Sequence, residues 1–146
     1  MSFEAQLLNK HILIVDDDTA LSESIKEVLV SRGFKNISRA YSISEGIDVF
    51  SVSHIDLIIL DVMLPDGEGY LLSQYVRKIS DIPILFLTAK NNPDDEIRGL
   101  DSGGDDYVTK PFLPKSLTYR IIALLRRAYK DESELIELTD CIIDLN

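Results

Sequence analysis

Three consecutive carboxylates, Asp16, Asp17 and Asp18, close the apolar run "HILIVDDD". Two like charges about 4 Å apart repel by roughly 4 kcal/mol at an effective dielectric near 20. A bare cluster therefore raises its own pKa values or splays apart, and either helix capping or a bound cation has to offset the cost. Three more chemistry-bearing residues recur at comparable places: Asp61 in "LDVMLPDG", Thr88 in "LFLTAK" and Lys110 in "VTKPF". Carboxylates, one hydroxyl and one lysine suit metal-assisted phosphoryl transfer to a carboxylate. Mg2+ takes about six oxygens, usually one or two carboxylates with waters and phosphate oxygens. In that chemistry Asp17 and Asp61 ligate directly, Asp16 acts through water, and the Met63 carbonyl closes the shell. Asp61 is the nucleophile and forms an aspartyl-phosphate, while Lys110 and Thr88 hold phosphate oxygens. Asp18, just before "TALSESI", reads as a helix cap.

The elements that must carry these residues alternate along the chain. "HILIV" is a predicted strand, and Leu21, Ile25, Val28 and Leu29 then recur on one helix face that Gly33 ends. "NISRA" is a weaker strand, and "SISEGIDVF" a short helix with a serine cap. Asp56–Leu60 is apolar after its first residue, as a strand covered on both faces should be. A helix over Gly69–Ile79 is expected to carry Leu71, Leu72, Tyr75, Val76 and Ile79 inward. Pro83–Leu87 is the next buried strand, and Asn92-Pro93 opens a helix to about Ser102. "DYVT" is a short strand, and a last helix runs from Pro114 to Tyr129 with Leu117, Ile121, Leu124, Leu125 and Ala128 at helical spacing.

Five strands alternating with five helices predict an α/β, doubly wound parallel sheet with helices on both faces. Ligands bind such sheets beyond the carboxyl ends of the strands, and that rule brings the acids, Thr88 and Lys110 to one rim. Alone, the Asp16-Asp17 pair would be a cap or a solvated turn. "DGEGYL" lacks the third glycine of a dinucleotide fingerprint, so Gly67 and Gly69 read as turn residues.

The bulk composition narrows the classes further. The chain has 146 residues and a formal net charge of −10, so it is a poor nucleic-acid binder by itself. The single cysteine, Cys141, cannot form an internal disulfide and fits a reducing compartment. "MSFEAQLLNK" is not a signal peptide, and no apolar run approaches the ~20 residues that cross a bilayer. A cytoplasmic protein is the expectation. After Tyr129 the charged break "KDESE" precedes a strand-like tail, "LIELTDCIIDLN", which predicts that the chain ends inside a second domain.

The motifs "VDDD", "LDVMLPDGEGY", "LTA" and "GGDDYVTKPF", in that order, resemble the receiver domain of two-component response regulators. The resemblance spans about residues 10–129, leaving 1–9 as an N-terminal extension. It implies a flavodoxin-like sheet in the order 2-1-3-4-5, Mg2+ as cofactor, a cis Lys110–Pro111 bond, and phosphorylation of Asp61 by a sensor histidine kinase. It also implies a switch made of Thr88 and Tyr107, and a phosphoacceptor regulator rather than an enzyme. "DDYVTKPF…LTYRIIALLRRA" is similar to the subfamily with a winged-helix DNA-binding domain. On that reading 130–134 is a linker and 135–146 the start of a truncated effector that would bind DNA.

The subfamily further implies a homodimer on phosphorylation, in which Asp105 and Asp106 meet Arg120 and Arg127. Glu96, Ser116 and Ile122 depart from its usual charges, so two salt bridges, one of them to Asp101, are expected to be missing, and Ile122 is a candidate for a more apolar interface. Two other readings compete. One is a stand-alone signalling module acting on a protein partner. The other is an aspartate-nucleophile phosphatase, disfavoured because Met63 stands two residues after Asp61, where a general acid belongs.

Overall fold

The computed structural model describes residues 2–89, 97 and 103–130. Five strands form one parallel sheet: β1 (His11–Val15), β2 (Asn36–Ala40), β3 (Leu57–Asp61), β6 (Ile84–Thr88) and β7 (Asp106–Thr109). Their spatial order is β2-β1-β3-β6-β7, the 2-1-3-4-5 order the resemblance implies. Between β3 and β6 lies a small antiparallel hairpin, β4 (Met63–Leu64) and β5 (Gly67–Glu68), which the sequence did not announce.

Burial on both faces explains the unbroken apolar runs. Every residue of β3 and β6 is buried. Ile12, Ile14, Leu57, Ile59, Leu85 and Leu87 point to one core, which α2 (Thr19–Ser31) and α5 (Pro114–Ala128) cover with Ile25, Leu29, Leu117, Ile121 and Leu125. Leu13, Val15, Ile58, Leu60 and Phe86 point the other way, under α3 (Ile43–Val52) and α4 (Tyr70–Arg77). Each fully buried aliphatic or aromatic side chain contributes roughly 1.5–3 kcal/mol.

Helix ends follow their local chemistry. Asp18 caps α2 by accepting from the Leu21 N–H at 3.1 Å. At the other end Gly33 takes φ +106°, with the Phe34 N–H on the Leu29 carbonyl and the Gly33 N–H on that of Val30. This paired closure uses a left-handed residue just past the helix, where glycine is favoured. The Lys110–Pro111 bond is cis.

Several expectations need correction. β3 and β6 each sit one residue later than expected, so Asp61 and Thr88 are the last residues of their strands. Leu71 and Ile79 are not inward: they are 55% and 64% exposed. The helix ends at Arg77, and its buried face is set by Tyr70, Leu72, Ser73 and Val76, a phase that the abundant apolar residues of "GYLLSQYVRKI" obscure. Ala128 is exposed. The N-terminal extension contains a helix, α1 (Phe3–Leu7), whose Leu7 is buried in the α2–α5 core. The expected helix over Asn92–Ser102 lies outside the described residues except for Ile97, and so do Glu96, Asp101 and the tail 131–146.

Candidate functional site

At the carboxyl ends of β1 and β3, Asp16 and Asp61 are 1% and 5% exposed, while Asp17 faces solvent. Carboxylate oxygens of Asp16, Asp17 and Asp61 all lie within 4.8 Å of one another. Lys110, one residue past β7, reaches across the rim. Its Nζ donates to Asp16 Oδ2 at 3.2 Å and to Asp61 Oδ2 at 3.0 Å. The remaining oxygens are held by backbone: Asp16 Oδ1 accepts from the Asp18 N–H at 2.9 Å, and Asp61 Oδ1 from the Met63 N–H at 3.1 Å. Thr88 is buried at the end of β6, and its carbonyl accepts from the Lys110 N–H at 2.7 Å. Tyr107 lies in β7 with its ring centroid 6.5 Å from that of Phe86. The residues singled out as one rim are thus brought together.

Burial pushes the Asp16 carboxyl up to about 6; the Asp18 N–H and Lys110 oppose this and the Asp61 charge adds to it. Burial draws the Lys110 ammonium down, but Asp61 and Asp16 together outweigh it and hold it above its ordinary value. Three carboxylates cluster here and one ammonium bridges two of them, Asp16 and Asp61; the excess negative charge suits a hard divalent cation with oxygen ligands. The Asp16, Asp17 and Asp61 carboxylates fit such an ion. Among the described residues no other cluster of three or more metal-ligating side chains occurs.

The proposed interface residues are more scattered. Asp105 is engaged within the chain: its Oδ2 accepts from Arg77 Nη2 at 2.8 Å and from the Ile84 N–H at 2.9 Å. Asp106 pairs with Arg120 at 3.1 Å. Arg127 and Ser116 are exposed. Ile122 lines a cleft with Leu7, Leu8 and Phe34, so its apolar character answers the N-terminal segment of its own chain. Two positioning side chains were not read from the sequence. Arg77 ties α4 to the Gly103 carbonyl at 2.9 Å and the Ile82 carbonyl at 2.6 Å. Asp66, three residues past Met63, binds the first turn of α3. A turn-forming "PDG" was visible, but not the helix its carboxylate would reach.

Residues 12–122 match the family model described as the response regulator receiver domain. The chain belongs to that family. It is 44% identical over 124 residues to the transcriptional regulatory protein YvrH of Bacillus subtilis, covering 85% of this chain and 52% of that protein. It is 38% identical over 138 residues to the DNA-binding response regulator MtrA of Mycolicibacterium smegmatis, covering 94% of this chain and 60% of that protein. The chain thus spans between about half and three-fifths of these relatives. Among solved structures, a two-component response regulator from Clostridium difficile matches with a TM-score of 0.78 at 34% identity, over 82% of this chain and 98% of that one. A receiver domain protein from Methanospirillum hungatei matches with a TM-score of 0.80 at 31% identity, over 84% and 98%. Receiver domains are signalling modules, and by name one of these sequence relatives is a transcriptional regulatory protein and the other a DNA-binding response regulator. Among the described residues no helix is long and apolar enough to cross a membrane.

Proposed function

We propose that this chain is a phosphorylation-dependent switch in which Asp61 accepts a phosphoryl group from the phosphohistidine of a sensor histidine kinase. A bond forms between an Asp61 carboxylate oxygen and phosphorus as the donor N–P bond breaks, and the imidazole nitrogen leaves with the electron pair. The observation that carries this reading is the Lys110 ammonium bridging Asp16 and Asp61 at 3.2 and 3.0 Å on the ends of neighbouring strands. That ammonium stands ready to neutralise a phosphate oxygen, and the Met63 N–H orients the Asp61 carboxylate. Asp16, Asp17, Asp61 and the Met63 carbonyl would hold Mg2+. When bound, the ion neutralises charge that develops on the transferring phosphoryl group.

Thr88 and Tyr107 read the product. The Thr88 hydroxyl turns toward the phosphate, and Tyr107, beside Phe86 on the neighbouring strand, moves inward behind it. Phosphate thereby favours one of two pre-existing loop arrangements. The output is transcriptional control through a DNA-binding domain beyond this chain, with the receiver spanning 10–129 and a linker over 130–134, in the cytoplasm. Phosphorylation drives a homodimer through the face that holds Asp106, Arg120 and Arg127. Asp105, bound to Arg77, supports that face from within.

The test is intact mass after incubation with acetyl phosphate. One phosphoryl addition that needs Mg2+, is lost with chelator and is absent in Asp61→Asn is the expected result. A mass shift that survives Asp61→Asn would assign the chemistry to another residue.

A further inference from the structure

The loop after Asp61 turns back at Pro65-Asp66-Gly67, and its tip rests on the first turn of α3. Asp66 Oδ1 accepts from the Ile43 N–H at 2.8 Å, and Oδ2 from the Ser44 N–H at 3.0 Å. The helix is also capped by its own residues: Ser42 Oγ accepts from the Glu45 N–H at 3.1 Å, and the Glu45 carboxylate from the N–H of Tyr41, one residue before the cap, at 2.9 Å. Asp66 takes the Ile43 and Ser44 N–H groups, two first-turn donors that have no partner within the helix. Gly67 gives an independent sign that the tip is built to seat there. It has φ +142°, and a Cβ on it would meet Ile43 Cδ1 at 3.2 Å and Leu71 Cδ1 at 3.3 Å.

From the tip the hairpin leads straight back to the reacting group. Leu64 pairs with Gly67 and Met63 with Glu68, and the Met63 N–H then holds Asp61 Oδ1 at 3.1 Å. We propose that Asp66 is a positioning residue for phosphoryl acceptance: it clamps the hairpin tip to α3 and so fixes Met63, which orients the Asp61 carboxylate. Asp66 touches no reacting atom and acts through that hairpin. The same clamp holds the segment whose Met63 carbonyl would face the metal, so metal affinity depends on it too. The inference rests on the reading of Asp61 as phosphoacceptor.

The experiment compares the full chain with Asp66→Ala, Asp66→Asn and, as a stability control, Leu7→Ala in the N-terminal helix. Two quantities are measured where all four are folded: Mg2+ affinity of the unphosphorylated protein by calorimetry, and the phosphorylation rate against acetyl phosphate concentration. Misplacing a reacting group by about 1 Å costs up to ~100-fold, and the hairpin keeps its own pairing, so a loss of about tenfold in maximal rate is expected for Asp66→Ala. Mg2+ affinity falls with it. Asp66→Asn keeps one acceptor and recovers part of both losses, while Leu7→Ala lowers the melting temperature and changes neither. The proposal is overturned if Asp66→Ala keeps wild-type affinity and rate, or if Leu7→Ala reproduces its losses. A wild-type protein that neither binds Mg2+ nor takes up phosphate would overturn the reading of the site itself, and this proposal with it.

Discussion

Gly69 is where a single methyl group should do the most damage to the site. A Cβ built there would lie well under 3.0 Å from the Asp61 carbonyl oxygen, where ordinary contact is 3.4–4 Å. That oxygen is backbone and cannot swing aside. β3 is pinned at this end by the Asp61–Leu87 pairing and by the Val62 N–H on the Leu87 carbonyl at 3.2 Å. The Gly69 N–H is tied to the Val62 carbonyl at 2.7 Å, so the two sides of the loop cannot separate freely. Relieving the clash needs a shift of about 1 Å in the segment that carries Asp61, and a misplacement of that size costs about 100-fold in rate. The forced fit should also cost about 1–3 kcal/mol of stability. Gly46→Ala is the matched control. Its Cβ would meet Leu72 Cδ2 at 2.9 Å and Val15 Cγ2 at 3.4 Å, side-chain methyls rather than the backbone of the Asp61 segment. The assay is the rate of phosphoryl uptake by intact mass, with thermal melts alongside. Gly69→Ala should be slowed about 100-fold and Gly46→Ala left near the wild-type rate. Equal rates for Gly69→Ala and wild type would refute the claim that this close approach sets the position of Asp61.

Three further outcomes follow from packing and charge. Leu7 is 3% exposed in the main core, so Leu7→Ala should lower the unfolding free energy by about 2–4 kcal/mol in urea titrations; a negligible change would mean that α1 does not pack as described. Arg77→Met removes the donor to the Gly103 and Ile82 carbonyls and leaves Asp105 with only the Ile84 N–H of its two donors, and a loss of about 2–3 kcal/mol is expected by the same measurement. The Ile43 and Ser44 N–H groups hold the Asp66 carboxyl below its ordinary value of 3.8. A depressed carboxylate stabilises the fold above its unfolded pKa and loses that effect as pH falls through the folded one. The melting temperature of Asp66→Asn should therefore trail wild type at neutral pH, and the two curves should converge as pH drops below 3.8; a constant gap would contradict the assignment.

How much the sequence disclosed depended on whether a feature was local. β3 and β6 were legible because a strand buried on both faces must be apolar throughout, and their acidic or hydroxyl ends stand out against that background. Asp16, Asp61, Thr88 and Lys110 could be gathered on one rim because sheet topology alone dictates where strand ends meet. The one-residue shift of β3 and β6 shows the limit of such reading, since an apolar run does not reveal that pairing extends onto the acid that follows it. Leu71 and Ile79 were misassigned for a related reason: several apolar residues in a short helix permit more than one buried face. Asp66 and Arg77 escaped notice because each reaches a backbone group more than 20 residues away, Ile43 and Gly103 respectively, and no local pattern marks such partners. Ile122 looked like an interface anomaly until α1 supplied an apolar neighbour from the far end of the chain.

The most direct test of the central claim is to locate the phosphoryl group itself. Protein phosphorylated with acetyl phosphate and Mg2+ is reduced with borohydride, which converts an acyl phosphate to the alcohol, and is then digested and sequenced by tandem mass spectrometry. Conversion of Asp61 alone to homoserine is the predicted result. Conversion at Asp16 or Asp17 with Asp61 intact would contradict the account.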